Sequence, residues 1–158
     1  MRLSTKGRYA LRAMVDLAAH SQQTPVSRRE IAERQGISPH YLEQLFAKLR
    51  DAGLIEAVRG PGGGYRLSRQ ADQITAGEVV RAVEDVLSPV ACLMADADLQ
   101  CERAPICPTQ HVWKELGHRV SRYLDSLTVK DLCEDARQRS KSELTDPSDF
   151  AGSGSCTT

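Results

Sequence analysis

No run in this 158-residue chain approaches the ~18 apolar residues that a membrane-spanning helix requires. The basic N-terminus does not lead into a secretory signal core either, because Arg12 and Asp16 interrupt "ALRAMVDLAAH". Paired cysteines at C-x2–4-C spacing, the usual mark of structural zinc, are absent. So are a Ser-His-Asp constellation, paired carboxylates and a Gly-Lys-Ser/Thr phosphate loop, which leaves no feature that points to catalysis. There are no internal repeats. The formal net charge is zero and by itself favours no partner. These absences predict a cytoplasmic protein with no membrane association, whose cysteines stay reduced and serve metal or redox chemistry more readily than disulfides.

What is present is unevenly distributed. Residues 1–70 carry twelve Lys/Arg against six Asp/Glu, whereas residues 71–158 carry nine against fifteen. An asymmetry of this size suggests a basic surface for a polyanion and an acidic remainder. Leu11, Met14, Val15 and Ala18 recur at helical spacing and predict a helix from about Thr5 to Ser21. Ser27 with Glu30 forms a capping box for a second helix that ends at Gly36. Ser38-Pro39 opens a third, with Leu42, Leu45 and Leu49 as its buried stripe and Gly53 as its stop. Leu54–Val58 and Tyr65–Leu67 flank a Gly/Pro tip and read as a hairpin. Thr75 with Glu78 caps a fourth helix. A long helix from Pro108 to Leu127 follows, then a short one from Thr128 to about Arg137.

The expected fold is mainly α with a small β-hairpin wing: a winged helix-turn-helix over residues 1–87, a cysteine-containing loop over 88–107, dimerisation and C-terminal helices over 108–139, and a disordered tail over 140–158, where Ser, Asp, Gly, Pro and Thr leave too little apolar area to order the chain. In "REIAERQGISPHYLEQLFAKL", Ala32 is small where two helices nearly touch, and Gly36 supplies the positive φ of the turn. Ile31, Ile37, Leu42 and Leu45 are apolar where the two helices lock. The third helix then presents His40, Glu43 and Gln44 to base edges in a major groove, where Gln suits adenine and Glu suits cytosine N4. Arg28, Arg29, Ser38, Tyr41 and Lys48 are placed to meet the phosphate backbone. Arg59 and Gly60 begin a stiff tip suited to a narrow minor groove, whose negative potential favours an inserted Arg. One copy reads too little DNA for useful specificity, and the stripe Val112, Leu116, Val120, Leu124 and Leu127 offers a route to a homodimer. Trp113 and Tyr123 read as packing aromatics.

The chain resembles the IscR family of winged-helix transcription regulators over about residues 1–135. The likeness rests on "MRLSTKGRYAL", "IAERQGISPHYLEQLFAKLRDAGLI", "VRGPGGGYRL", "ITAGEVVRAVE" and the three cysteines ahead of "VWKEL". It implies a dimeric repressor or activator of transcription whose cysteines hold an iron–sulfur cluster, 2Fe–2S or 4Fe–4S, with occupancy altering DNA binding. On that reading Cys92, Cys101 and Cys107, separated by eight and five residues, are cluster ligands. The second gap matches the family's usual spacing and the first is longer. Family members place a His three residues after the last cysteine; here that position is Gln110, and the adjacent His111 is the candidate fourth ligand. Other members use an acidic residue from the partner's N-terminal region, where this chain has Arg8. Zinc binding and thiol-only redox sensing are the alternatives for this loop. Cys133 reads as a small buried apolar residue and Cys156 as incidental.

Two further functions compete with cluster sensing: a cluster-free, thiol- or partner-responsive repressor of sulfur metabolism, and an iron–sulfur electron carrier. Duplex binding separates the regulators from the carrier. A dimer that neutralises ~6–10 phosphates loses about 10³–10⁵ in affinity between roughly 50 and 200 mM salt; a salt titration of operator binding that comes out flat would favour the carrier.

Overall fold

The computed structural model describes residues 4–21, 24–84 and 106–143. Its order is α1 (Thr5–His20), α2 (Arg28–Gln35), α3 (Pro39–Asp51), β1 (Ile55–Val58), β2 (Gly64–Leu67), a single 3-10 turn (Ala71–Gln73), α4 (Ala76–Val83), α5 (Gln110–Asp125) and α6 (Val129–Glu143). The architecture is the expected one, helical with a two-stranded antiparallel wing in the register Ile55↔Leu67 to Val58↔Gly64.

The sequence's capping signals act where they were expected. Ser27 and Thr75 each close a reciprocal box with the Glu three residues on. Ser38 accepts from the Tyr41 amide with Pro39 in the first helical position. Both glycine stops are left-handed: Gly36 has φ 62° and Gly53 φ 69°. Each is followed by an inward-turned apolar residue whose amide returns to the preceding helix, Ile37 to the Ala32 carbonyl at 3.0 Å and Leu54 to the Leu49 carbonyl at 2.9 Å. These closures aim α3 away from α2 and β1 away from α3.

α1 is the centre of the molecule, packed against α2, α3, α4, α6 and β2. Its fully buried face is Ala10, Ala13, Met14 and Leu17; Leu11, Val15 and Ala18, expected to form the stripe, line its margins. A helix enclosed on several sides buries more than one stripe, and alanines at its centre let neighbouring helices approach. Ile31, Leu42, Leu45, Phe46, Leu49, Ile55, Ile74, Val79, Val83 and Val129 complete the core.

Two expectations about the C-terminal third need correction. α5 has no buried residue: Val112, Trp113, Leu116 and Tyr123 are 48%, 37%, 38% and 64% exposed, so Trp113 is partly covered but Tyr123 stands mostly in solvent. α6 runs to Glu143, past Arg137 and into the stretch expected to be disordered, because "DARQRSKSE" consists mostly of good helix formers. Its start is a reciprocal cap in which Thr128 and Asp131 exchange bonds at 2.8 and 3.1 Å. Residues 144–158, the remainder of the expected tail, lie outside the described residues, as do Cys156 and the Cys92–Cys101 part of the loop. Cys133 is buried as expected, its thiol 3.6 Å from the Val15 carbonyl, and burial raises its pKa.

The orientation of α2 rests on a carboxylate that sequence reasoning passed over. Asp16, 4% exposed on α1, accepts two bonds from Arg34 Nε at 3.1 and 3.0 Å, one from Arg34 Nη2 at 2.6 Å and one from the Gln35 amide at 2.8 Å. Burial pushes its pKa up, but hydrogen bonds from Arg34 and Gln35, with Arg34's charge, outweigh burial and hold it below the ordinary 3.8. A depressed carboxylate contributes stability above its unfolded pKa and loses it as pH falls through the folded value. Because Arg34 is a third exposed, the loss in Asp16→Ala is discounted to about 2–3 kcal/mol, roughly 5–10 °C in Tm at pH 7. The deficit should shrink below about pH 4 in thermal melts, as Asp16 itself becomes protonated.

A candidate nucleic-acid interface

α3 buries Leu42, Leu45, Phe46 and Leu49, so the opposite side of the same helix is exposed. His40, Glu43 and Gln44 stand there, as their spacing predicted. A ring nitrogen of His40 lies 3.2 Å from the Gln44 amide. Glu43 pairs with Arg28, the first residue of α2, at 2.8 Å. Arg29 pairs with Glu33 one turn along, at 2.9 Å and largely in solvent. Exposed pairs of this kind contribute about 0–1 kcal/mol, so both arginines are held only weakly by their carboxylates. Ser38 is exposed at the start of α3.

The wing is fixed to this helix from two sides. The Tyr65 ring meets Phe46 edge-on at 4.8 Å. The Tyr65 backbone also exchanges hydrogen bonds with Val26, at 2.9 and 2.8 Å, so the residue leading into α2 bridges to the outer edge of the wing. Beyond Val58↔Gly64 the tip carries Arg59 exposed, Gly60 at φ 102° and Gly62 at φ 76°. Gly64 is needed for a different reason: a Cβ there would overlap the Val26 carbonyl. Between the wing and the start of α2 lies an open groove of about 600 Å³, bordered by Ser27, Arg28, Arg29, Pro39, Gly63 and Tyr65.

Two of the expected contact residues face elsewhere. Tyr41 meets Tyr9 of α1 edge-on at 5.9 Å, with the Arg12 guanidinium over the Tyr9 ring. The Lys48 ammonium donates to the Val83 carbonyl at the end of α4, 3.3 Å away. They share the side of α3 turned towards the body of the protein.

Of the proposed ligand set, Cys107 and His111 are among the described residues. Cys107 lies just before α5 with its sulfur 3.4 Å from the Thr109 hydroxyl. Hydrogen bonds from the Thr109 side chain and amide, and from the Gln110 amide, lower its thiol pKa. His111 is exposed in the first turn of α5. Among the described residues no three His, Cys, Asp or Glu side chains converge as a metal site; Cys92 and Cys101 lie outside them. No described helix is long and apolar enough to cross a membrane.

Sequence reasoning missed the Val26 bridge and the Asp16 network, both of which depend on distant parts of the chain. The hint available was the run of four glycines between residues 60 and 64, more than a flexible tip requires.

Comparison with known proteins bears on this arrangement. Residues 3–135 match the model of the Rrf2 family, described as an iron-dependent transcriptional regulator. The HTH-type transcriptional regulator IscR of Vibrio atlanticus (strain LGP32) is 47% identical over 135 residues, covering 85% of this chain and 76% of that protein. The solved structure of IscR from T. potens superposes with a TM-score of 0.71 at 39% identity, over 88% of this chain and 90% of that one. That of CymR, the global cysteine regulator of B. subtilis, gives 0.69 at 40% identity, over 85% and 97%.

The two kinds of glycine in the wing should behave differently in thermal melts. Gly64→Ala forces Val26 and Tyr65 apart and costs about 1–3 kcal/mol. Gly62→Asn keeps a left-handed position in open space and costs under about 1 kcal/mol. Equal losses would contradict the role given to Val26.

Proposed function

The chain belongs to the Rrf2 family and is a DNA-binding transcriptional regulator, not an enzyme; from that premise we propose that an iron–sulfur cluster on Cys92, Cys101 and Cys107, with His111 as the fourth-ligand candidate, sets its DNA affinity. The observation that carries the reading is the Cys107 environment. Iron is bound by thiolate, and the Thr109 hydroxyl with the Thr109 and Gln110 amides favours that form of a sulfur left accessible at the helix start. When bound, the cluster supplies a redox- and iron-sensitive crosslink between the chain after α4 and the start of α5. Three cysteines with His111 leave both 2Fe–2S and 4Fe–4S open as the cluster proposed.

On the DNA side, His40, Glu43 and Gln44 are offered to base edges, Arg28, Arg29 and Ser38 to phosphates, and Arg59 with Gly60 to the minor groove. Tyr41 and Lys48 we assign instead to holding α3, because their side chains engage Tyr9 and the Val83 carbonyl. The exposed face of α5 is the surface for a second copy. Pairing through it would set two reading helices about 34–36 Å apart, one turn of duplex.

A second reading is supported by the similarity to CymR, a cysteine regulator: the same DNA-binding body with thiol or partner control and no cluster. One set of preparations separates the two. Anaerobically purified protein should contain iron and acid-labile sulfide, and stripping them should change operator affinity. Changing Cys92, Cys101 or Cys107 singly to Ala should abolish iron retention each time. A colourless protein with the same operator affinity with and without iron and sulfide would remove the cluster reading. A single dispensable cysteine would favour a thiol pair.

A further inference from the structure

The last turn of α4 is gripped by residues remote in sequence. One carboxylate oxygen of Glu84 accepts from the Ser4 hydroxyl at 2.5 Å and from the Gly7 amide at 3.0 Å. A Cβ at residue 7 would sit 3.0 Å from that oxygen and 3.4 Å from a Val80 methyl, so glycine is what lets the carboxylate reach the first turn of α1. The site favours an anion, since the free amides of a 16-residue helix converge there. One residue earlier, the Val83 carbonyl accepts from Lys48 of α3.

α4 is also joined to the C-terminal helices. At its start the Ala76 amide donates to the Leu127 carbonyl at 2.8 Å, and from its last turn Arg81 reaches Asp125 at 2.6 Å. The last turn of α4 therefore touches α1, α3 and α5 together. Glu84 is also where the chain leaves the helix, with ψ 135°, and the residues that follow it are those carrying Cys92 and Cys101. The backbone that sets out the cysteine segment and the side chain that grips α1 thus belong to one residue.

We propose that Glu84 is the positioning residue through which the state of the cysteine segment reaches the reading helix. Restraining the segment fixes the Glu84 backbone, which keeps the carboxylate on Ser4 and Gly7 and the Val83 carbonyl on Lys48. Releasing it lets the last turn of α4 fray, and α1 and α3 lose a common support. This rests on the cluster reading above.

The test uses the full chain, loaded anaerobically and then stripped. Two quantities are read: the exchange rate of the Gly7 amide, and the ratio of operator affinities in the two states. In the wild type, stripping should accelerate Gly7 exchange. Glu84→Ala should load iron as the wild type does, exchange Gly7 quickly in both states, and reduce the affinity ratio by about fivefold or more. Glu84→Gln, whose amide oxygen accepts from the same donors, should restore most of the ratio. Ser4→Ala, removing one donor, should give an intermediate value and replaces Glu84→Ala if that variant does not fold. A loaded Glu84→Ala protein with the wild-type ratio, or Gly7 exchange indifferent to stripping, overturns the proposal alone. A wild type that binds no iron and sulfide overturns the cluster reading and this proposal together.

Discussion

The reading face depends first on how α2 is tied to α1. Among the described residues Asp16 is the one charged side chain that is buried, and its partners are the last two residues of α2. An isolated carboxylate there would be costly; four hydrogen bonds and a guanidinium make it tolerable and directional. Arg12, one turn earlier on α1, adds a bond to the Gln35 side chain at 3.1 Å and another to its carbonyl. The C-terminal end of α2 is held from two sides immediately before the Gly36 turn. The direction of α3 follows from there, because a left-handed residue with a returning amide leaves little freedom of exit.

The charges on that face are arranged for discrimination more than for grip. Arg28 and Arg29 lie in the basic half of the chain, yet each has a carboxylate already in contact. A duplex bound as proposed would exchange one weak ion pair for another, and gain less than it would from bare cations. On the proposed reading, Glu43 would part from Arg28 most readily where a hydrogen-bond donor such as the cytosine amino group takes the place of Arg28. A cationic groove whose acids stand among its cations binds any DNA modestly and a matching sequence better. That behaviour suits a regulator searching among many similar sites.

Much of this was legible in the sequence because it is local. Ser27, Ser38 and Thr75 caps, the Gly36 and Gly53 stops and the Leu42–Leu45–Leu49 stripe each act within a few residues, and all stand where the pattern put them. The outward set on α3 was legible as the complement of that stripe. The α1 stripe was misjudged because its helix is surrounded, and periodicity describes only a helix with one wet side. The contacts of Tyr41 with Tyr9 and of Lys48 with the Val83 carbonyl were not legible, because those partners lie far along the chain. The Val26 bridge could not be read locally, because only the folded hairpin gives its amide and carbonyl something to pair with.

The bareness of α5 also bears on how the protein comes to exist at all. A 16-residue helix without a buried residue is marginal in water, and its tie to α4 lies at its C-terminal end, through Asp125 and the Leu127 carbonyl just beyond it. Association would supply the missing burial, and then the folded fraction of this segment would rise with protein concentration. The amount of the regulator in a cell would thereby govern its shape as well as its occupancy of DNA, so that a scarce chain is a partly unfinished one.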